Sequence, residues 1–292
     1  MKSLIRTPYG IYLQNVLYSG LPFSMIPFTT LNEKLNILKN IAPPANSYPQ
    51  LKYFCIGNGG HEMSMGANNI PKVIPTQHLS TDASLFKPMP FVLREPQNDL
   101  TPQERALYSL RREETYNGKK FIAYYLRRID YSLARTEMKL FQVDEKGNRL
   151  QESPFVPDSR NLNPTPQKLS SSGLNVIKGQ YISVETNIDL IFTAEQAQEL
   201  RNVANIMYAD EELAIVSEVG LVSGMDRTIN LTNGSQFKEV IAAQVCHIAH
   251  TAHSAYTNDL GFKMALAVAA AEPLFKLDKD AVNGITGVPN NP

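Results

Sequence analysis

The sequence has few of the residues and motifs by which compact catalytic or metal sites are recognised. Its 292 residues include two cysteines, Cys55 and Cys246, which are too few for a disulfide framework or a thiolate metal cluster. We expect both to be small buried residues in a reducing compartment. The sequence contains no Gly-Lys-Ser/Thr P-loop and no G-x-S-x-G nucleophile elbow. These absences argue against P-loop nucleotide binding and against nucleophilic catalysis of the hydrolase type.

Charged residues are also scarce, at 19% of the chain against a usual ~25%. Lys plus Arg and Asp plus Glu number 28 each, so the formal net charge is zero. A neutral chain is not expected to bind nucleic acid or an anionic membrane through its overall charge. Low surface charge is typical of a subunit that neighbours cover, and 43% hydrophobic residues suffice for a substantial core.

The N-terminal segment lacks a long apolar run. Its apolar residues are interrupted by Pro8, Gly10, Gln14 and Asn15. The segment therefore predicts neither a signal peptide nor a membrane span. We expect the protein to be made in a cytoplasm and to remain there unless an assembly carries it elsewhere.

The order of predicted elements favours an α+β fold, with a mixed, largely antiparallel sheet, a few helices and long Pro-rich loops. Strand patterns occur in both halves of the chain without βαβ regularity. We expect an extended N-terminal arm or short strands at 1–30, then a first α/β region at 31–152 with a long loop at 58–99. A linker or projecting loop at 153–175 and a second α/β region with C-terminal helices at 176–292 follow.

Periodicity and capping residues predict individual elements within these regions. The predicted helices lie at 29–44, from Thr101 through 114, at 193–208 and from Ser235 through 256, with a further apolar segment ending at Pro273. The predicted strands lie at 51–57, 119–132, 179–192 and 211–224, with a β-hairpin at 136–153.

The stretch Cys55-Ile-Gly-Asn-Gly-Gly-His-Glu62 is the first candidate for chemistry, because a glycine-rich turn can bind phosphate and His with Glu can bind metal. The spacing Gly57-x-Gly59-Gly60 departs from a dinucleotide fingerprint, and no convincing helix follows it. We favour a tight turn whose glycines adopt positive φ and let another backbone approach closely. His61 and Glu62 are expected on opposite faces of a strand, and His78 could join them only through the fold.

Three histidines, His247, His250 and His253, recur at i, i+3 steps on the last predicted helix and would fan across about 120°. The zincin pattern requires i, i+4 spacing with an intervening Glu, which is missing. We therefore interpret them as the polar edge of an Ala-rich helix, and leave a pH or metal role open.

Two arginine pairs could line a path for nucleic acid. Acidic residues stand beside them in the sequence, so ion pairs at subunit contacts are the favoured interpretation. The four residues are Arg111, Arg112, Arg127 and Arg128.

Several sequence segments resemble segments of tailed-bacteriophage structural proteins. Those proteins form rings in the neck, at the head-to-tail connection, or in the baseplate. The phrases are "CIGNGGH", "PFVLREPQNDLTPQERALYSLRREETYNGKKFIAYYLRRID", "IVSEVGLVSG", "EVIAAQVCHIAHTAH" and "AAEPLF". The run from Ile215 to Leu221 is similar to an S/N-E-x-G-L strand common in tail-associated proteins. The resemblance implies an assembly subunit of the virion without catalytic residues, metal or cofactor.

From this resemblance we expect a ring-forming homo-oligomer that contacts portal, tail or baseplate subunits and does not contact a membrane. Its two different faces would be complementary to each other. Aromatic residues in the arm and the long loop are candidate anchors: Tyr9, Tyr12, Tyr18, Phe23, Phe28, Phe86 and Phe91. The alternatives are a baseplate wedge component, a metal- or nucleotide-binding enzyme using Gly57–Glu62, and a connector whose arginines face DNA in a lumen.

Overall fold

The computed structural model describes residues 4–24, 35, 37, 43–44, 46–69, 71–144, 148–165, 180–231, 234–254 and 260–274. They form two compact units. The first comprises Met1–Leu133 and Ile188–Leu266, and the second comprises Ala134–Asn187 and Ala267–Pro292. Each unit thus combines two separate parts of the chain, unlike the consecutive regions expected from the sequence. Residues 166–175 of the expected linker lie outside the described residues.

Strands dominate both units. In chain order they are β1 Leu4–Arg6, β2 Gln50–Gly57, β3 His61–Met65, β4 Pro71–Pro75, β5 Pro88–Met89, β6 Val92–Arg94, β7 Tyr108–Tyr116, β8 Lys119–Arg128, β9 Arg135–Val143, β10 Arg149–Pro154, β11 Gln180–Phe192, β12 Ile215–Asn230, β13 Gln236–Ser254 and β14 Phe262–Pro273.

The described helices are short apart from two. They are α1 Pro8–Ser19, α2 Pro102–Arg105, α3 Ser159–Leu162 and α4 Ala194–Tyr208, with single 3-10 turns at Ala67–Asn69, Pro96–Asn98 and Glu211–Leu213. Strands account for 52% and helices for 19% of the described residues. The α+β class is therefore wrong, because the chain is a largely β protein with antiparallel sheets. None of the described helices combines the length and apolar character needed to cross a membrane.

The main sheet has the strand order β1-β13-β12-β2-β8-β6, with β5 added beside β2 and β7 beside β8. Its centre is the long antiparallel pair β12 and β13, whose register runs from Ile215↔Ser254 to Asn230↔Gln236 with three shifts. β2 follows antiparallel to β12, with Glu218 opposite Gly57. This register places the glycine stretch beside the "SEVGL" strand. A separate two-stranded sheet consists of β3 and β4.

The largest error of sequence reasoning concerns the C-terminal helices, because 236–254 and 262–273 are strands β13 and β14. Alanine favours a helix, but this propensity yields to packing. Residues Phe237 and Val240 through Ala249 are almost all buried, and β13 is paired by β1 on one side and β12 on the other. A strand buried on both faces gives a continuous apolar run that periodicity cannot distinguish from a buried helix.

The helix predicted from Thr101 begins correctly and ends early. Thr101 and Glu104 form the expected capping box, yet α2 stops at Arg105 and strand β7 begins at Tyr108. β7 and β8 form a hairpin whose turn residues Asn117 and Gly118 both have positive φ. This Asn-Gly turn twists with the strands and fixes their register, so it overrides the helical start.

Other predicted elements are confirmed. These are the strands β2, β8, β11 and β12, the hairpin of β9 and β10, and helix α4 with its Thr193 and Gln196 capping box. The N-terminal arm is predicted to be extended or to form short strands, and β1 is such a strand. Residues 8–19 instead form α1, which Thr7 caps at its start and Gly20 ends. Most of the helix predicted at 29–44 lies outside the described residues.

Candidate functional site

The candidate site forms where the end of β2 meets β12. The register between β12 and β13 shifts between Val216 and Glu218. A bulge of this kind re-aims side chains and is common beside functional sites. Ser217 and Glu218 are both fully buried there and both contact the glycine stretch. The site is therefore built from the two phrases "CIGNGG" and "SEVGL".

The carboxylate of Glu218 accepts four hydrogen bonds. Its Oε1 accepts from the backbone N–H of Gly59 at 2.7 Å and of Lys87 at 3.2 Å. Its Oε2 accepts from the backbone N–H of Phe86 at 2.6 Å and lies 2.7 Å from Nε2 of His78. Burial opposes ionisation, yet the His78 and backbone hydrogen bonds outweigh it and hold the pKa of Glu218 below its ordinary value. A single carboxylate thus joins the start and the end of the segment 59–87.

Two glycines are required here by close approach. A Cβ on Gly59 would lie 2.8 Å from the backbone nitrogen of Lys87, and one on Gly60 would lie 2.7 Å from Cγ of Glu218. The backbone N–H of Gly60 donates to Oγ of Ser217 at 3.0 Å. The expected close backbone approach is confirmed. The expected positive φ is wrong, because none of the glycines at 57, 59 and 60 adopts it.

His78 completes the anchor from the other end of the segment. Its Nδ1 lies 2.9 Å from Oδ2 of Asp82, and its ring stacks on Phe86 with 3.8 Å between centroids. Burial disfavours the imidazolium, but the hydrogen bonds to Glu218 and Asp82 outweigh it and raise the pKa of His78. A protonated ring can donate to both carboxylates at once. We call Glu218, His78 and the N–H groups of Gly59, Phe86 and Lys87 the Glu218 anchor.

The Glu218 anchor is suited to structure rather than to catalysis. A carboxylate has about four lone-pair positions, and all four are engaged by donors. A general base or a metal ligand needs a free lone pair directed at substrate or ion. Among the described residues, no group of three or more His, Cys, Asp or Glu side chains is arranged to hold a metal ion. His61 is half-buried and Glu62 exposed on β3, as alternation along a strand predicts.

The three C-terminal histidines lie on strand β13 rather than on a helix, so their expected helical fan is wrong. Burial, with a smaller contribution from Arg6, lowers the pKa of His247 to about 4. This histidine is therefore neutral at physiological pH. Nδ1 of His250 lies 3.1 Å from the position that a Cβ on Gly60 would take, so its ring packs against the glycine stretch. The His253 side chain lies outside the described residues.

The four arginines expected at subunit contacts all have partners within the first unit. Arg111 bonds to Asp99, Arg112 to Glu239 and Arg128 to Asp226. The fourth, Arg127, donates to the carbonyl of Ile191 and lies over the rings of Phe54 and Phe192.

The aromatic anchor candidates fall into different environments. Tyr18 is 94% exposed on α1, and Phe86 is 43% exposed while stacking on His78. Phe91 is 3% exposed and packs edge-on against Phe54 in the core. The remaining candidates are Tyr9, Tyr12 and Phe23, which are half-buried, and Phe28, which lies outside the described residues.

The sequence does not predict that the residues of the Glu218 anchor meet. From the sequence, Glu218 is only part of the segment that carries the phage resemblance, and His78 is only a ligand that the fold could bring to His61. The available signal was the isolated carboxylate in "AIVSEVGLV". A charge within a buried apolar strand must find partners, since an unpaired buried charge is costly. The sequence does not show which backbone N–H groups supply them.

Fold and site together define a largely β protein whose long central strand carries a buried glutamate that closes a loop. The chain belongs to a family of unknown function, DUF7208, whose model matches residues 1–282. No curated protein matches the chain, and no solved structure matches it.

Proposed function

We propose that this protein is a non-enzymatic structural subunit of a tailed-phage virion, forming a ring at the neck, the head-to-tail connection or the tail. The phrases that resemble phage structural proteins motivate the virion assignment. The observation that carries an assembly role is the segment closed by the Glu218 anchor, which presents the hairpin of β3 and β4. The polar groups at its base stabilise the loop, and all four lone-pair positions of Glu218 are engaged there.

The hairpin presents an apolar face. Met63 and Val73 are directly opposite each other in the register, and Met65 lies two residues further along the same face. Their exposed fractions are 56%, 39% and 71%. Clustered exposed apolar side chains mark protein contacts, whereas scattered ones are ordinary. A two-stranded ribbon is also marginal alone in water, so a neighbour that covers it would stabilise it.

The first experiment is electron microscopy of the purified protein, with mass spectrometry of virions from the phage genome that encodes it. We expect closed rings and the protein among the virion components. A monodisperse monomer at high concentration that is missing from purified virions would overturn the proposal. Cross-links to portal and capsid would favour the neck, and cross-links to tube and sheath would favour a baseplate wedge.

A variant pair tests the hairpin itself. Met65→Asp places a charge on the apolar face, and we expect it to abolish ring formation with an unchanged melting temperature, since Met65 is 71% exposed. Leu133→Asp is the matched control, because Leu133 is 77% exposed and lies outside the hairpin. If both variants assemble equally well, the hairpin is not part of the interface.

A further inference from the structure

A second feature of the first unit is a cavity of about 480 Å³ between α2 and the ends of β12 and β13. Among the described residues, three cationic side chains line it and no acidic side chain does. The lining residues are Pro102, Arg105, Ala106, Tyr108, Arg128, Thr228, Gln236, Phe237 and Lys238.

Arg105 is the unusual member of this lining. It is 4% exposed, and its Nε and Nη1 have no hydrogen-bond partner. The nearest carboxylate oxygen is Oδ2 of Asp99, 4.0 Å from Nη1, which is beyond hydrogen-bond distance. Buried arginine is found paired with an anion, because burying an unpaired charge is costly. The guanidinium therefore lines the cavity while part of its hydrogen-bonding capacity is not used by the described residues.

Asp99 does not supply the missing pairing, because other donors already use it. Its Oδ2 accepts from Nε and Nη2 of Arg111 at 3.2 and 2.9 Å. Its Oδ1 accepts from the hydroxyl of Tyr124 at 2.5 Å and from the backbone N–H of Leu100 at 2.8 Å. One carboxylate thus lies beside two guanidinium groups. The cluster keeps one positive charge in excess, on the side of Arg105.

Of the other two cationic side chains, Arg128 already has hydrogen-bond partners, whereas Lys238 has no ion pair with a described residue. Arg128 donates from both terminal nitrogens to Asp226 and from Nε to the carbonyl of Ala106. Lys238 is exposed, and no ion pair links it to any of the described residues. The available positive groups are therefore the buried guanidinium of Arg105 and the exposed ammonium of Lys238. An anion that enters the cavity would meet both.

We propose that this cavity binds the carboxylate of an Asp or Glu side chain presented by a neighbouring protein chain. Pro102, Ala106 and Phe237 provide apolar wall that suits the aliphatic stem of such a side chain, whereas a free inorganic anion gains nothing from it. A charged hydrogen bond to a buried guanidinium also gives orientation. This inference deepens the proposed assembly function, on which the identity of the donor as a protein chain rests.

The experiment titrates the purified full-length protein with N-acetyl-glutamate N-methylamide, which carries one free side-chain carboxylate. N-acetyl-glutamine N-methylamide at equal ionic strength is the neutral control, and inorganic phosphate is the competing anion. We expect the glutamate probe to raise the melting temperature by ~2 °C at a few times its dissociation constant. It should also shift the Nε–H resonance of Arg105.

Two variants assign the response to the cavity. Arg105→Met removes the charge while keeping a long apolar side chain, and we expect it to abolish the melting-temperature shift. Arg201→Met is the matched control, because Arg201 pairs with Glu211 away from the cavity, and it should keep the shift. A response to phosphate without one to the glutamate probe, no response to either, or a response that survives Arg105→Met would each overturn the proposal.

Binding to the isolated protein is independent of whether the protein is found in virions. A positive titration with no rings and no virion incorporation would retain the carboxylate site and overturn the assembly function. Ring formation and virion incorporation with a negative titration would retain the assembly function and overturn the carboxylate site.

Discussion

The Glu218 anchor and the Arg105 cavity are two buried charges in the same unit that are paired to very different extents. Glu218 is fully buried and all its lone-pair positions meet donors. Arg105 is almost as buried, yet two of its three nitrogens have no hydrogen-bond partner. Burial alone therefore does not separate a structural charge from a binding one. The completeness of its hydrogen bonding does, because a saturated group holds the fold and an unsaturated one can receive a ligand.

The largest effect is expected from Glu218→Gln, which removes the buried charge whose hydrogen bonds are complete. The amide keeps the size of the side chain but replaces one acceptor by a donor that faces backbone N–H groups. It also removes the Glu218 carboxylate from Nε2 of the buried His78 ring, which keeps Asp82 at Nδ1. Removing one partner of a buried charged pair typically costs ~3–5 kcal/mol, and we expect ~3 kcal/mol in the free energy of unfolding, measured by urea denaturation.

The matched control for this substitution is Glu62→Gln on the same segment, whose side chain is exposed. It should change the free energy of unfolding by less than ~0.5 kcal/mol. Equal effects of the two substitutions would contradict the assignment of Glu218 as the anchor.

The next effect is expected from Gly59→Val, which crowds the same contact without removing a charge. The added Cβ would lie 2.8 Å from the backbone nitrogen of Lys87 and 2.9 Å from Oε1 of Glu218. Overpacking of this kind costs ~1–3 kcal/mol, so we expect a loss of ~2 kcal/mol in urea denaturation. Thr81→Val, at an exposed position of the same segment, should be nearly neutral. An unaffected Gly59→Val variant would show that the segment is not held as closely as described.

The sequence was sufficient for elements that local rules decide. Thr193 and Gln196 predicted the start of α4, and the alternation of β11 predicted a strand. It failed where tertiary pairing decides. The Ala-rich segment 236–254 is a strand because β1 and β12 flank it, and no residue within the segment carries that information.

The candidate site shows the same division. A glycine turn after β2 was predictable from "CIGNGG", and the need of Glu218 for partners was implicit in its apolar surroundings. Their meeting was not predictable, since it depends on the antiparallel register that pairs Glu218 with Gly57 across 161 positions of the chain, the difference between their numbers. The Arg105 cavity was not predictable for the same reason, because its lining residues come from four separate parts of the chain, 102–108, 128, 228 and 236–238.

A smaller effect is expected from pH. The pKa of His78 is raised, so its contribution to stability is complete below the ordinary imidazole value of 6.5 and is lost as pH rises through the folded-state value. The pKa of Glu218 is lowered, so its contribution is present above the ordinary value of 4.5 and is lost as pH falls through the folded-state value. The anchor should therefore stabilise the fold most between these ordinary values and lose strength on the alkaline side.

Urea denaturation of the wild type and of His78→Gln across this pH range isolates that contribution. The lowered pKa of His247 changes stability with pH in the opposite direction, because the fold favours its neutral form. This contribution is the same in both proteins, so it cancels when their free energies of unfolding are subtracted. The stability difference between wild type and His78→Gln should shrink as pH rises above 6.5. A difference that stays constant across the range would mean that His78 acts only through packing on Phe86.

The smallest effect is expected from Arg105→Met in the protein without a ligand. This substitution tests the buried charge whose hydrogen bonds are incomplete. Replacing an incompletely paired buried charge by an apolar side chain of similar length is often neutral or stabilising. We expect a change between zero and a gain of ~1 kcal/mol in the free energy of unfolding, measured by urea denaturation. Arg111→Met is the contrast, because Arg111 makes two hydrogen bonds to Asp99, and its loss should cost ~2 kcal/mol. A loss with Arg105→Met as large as that with Arg111→Met would show that Arg105 neutralises Asp99 and is no reserve for a ligand.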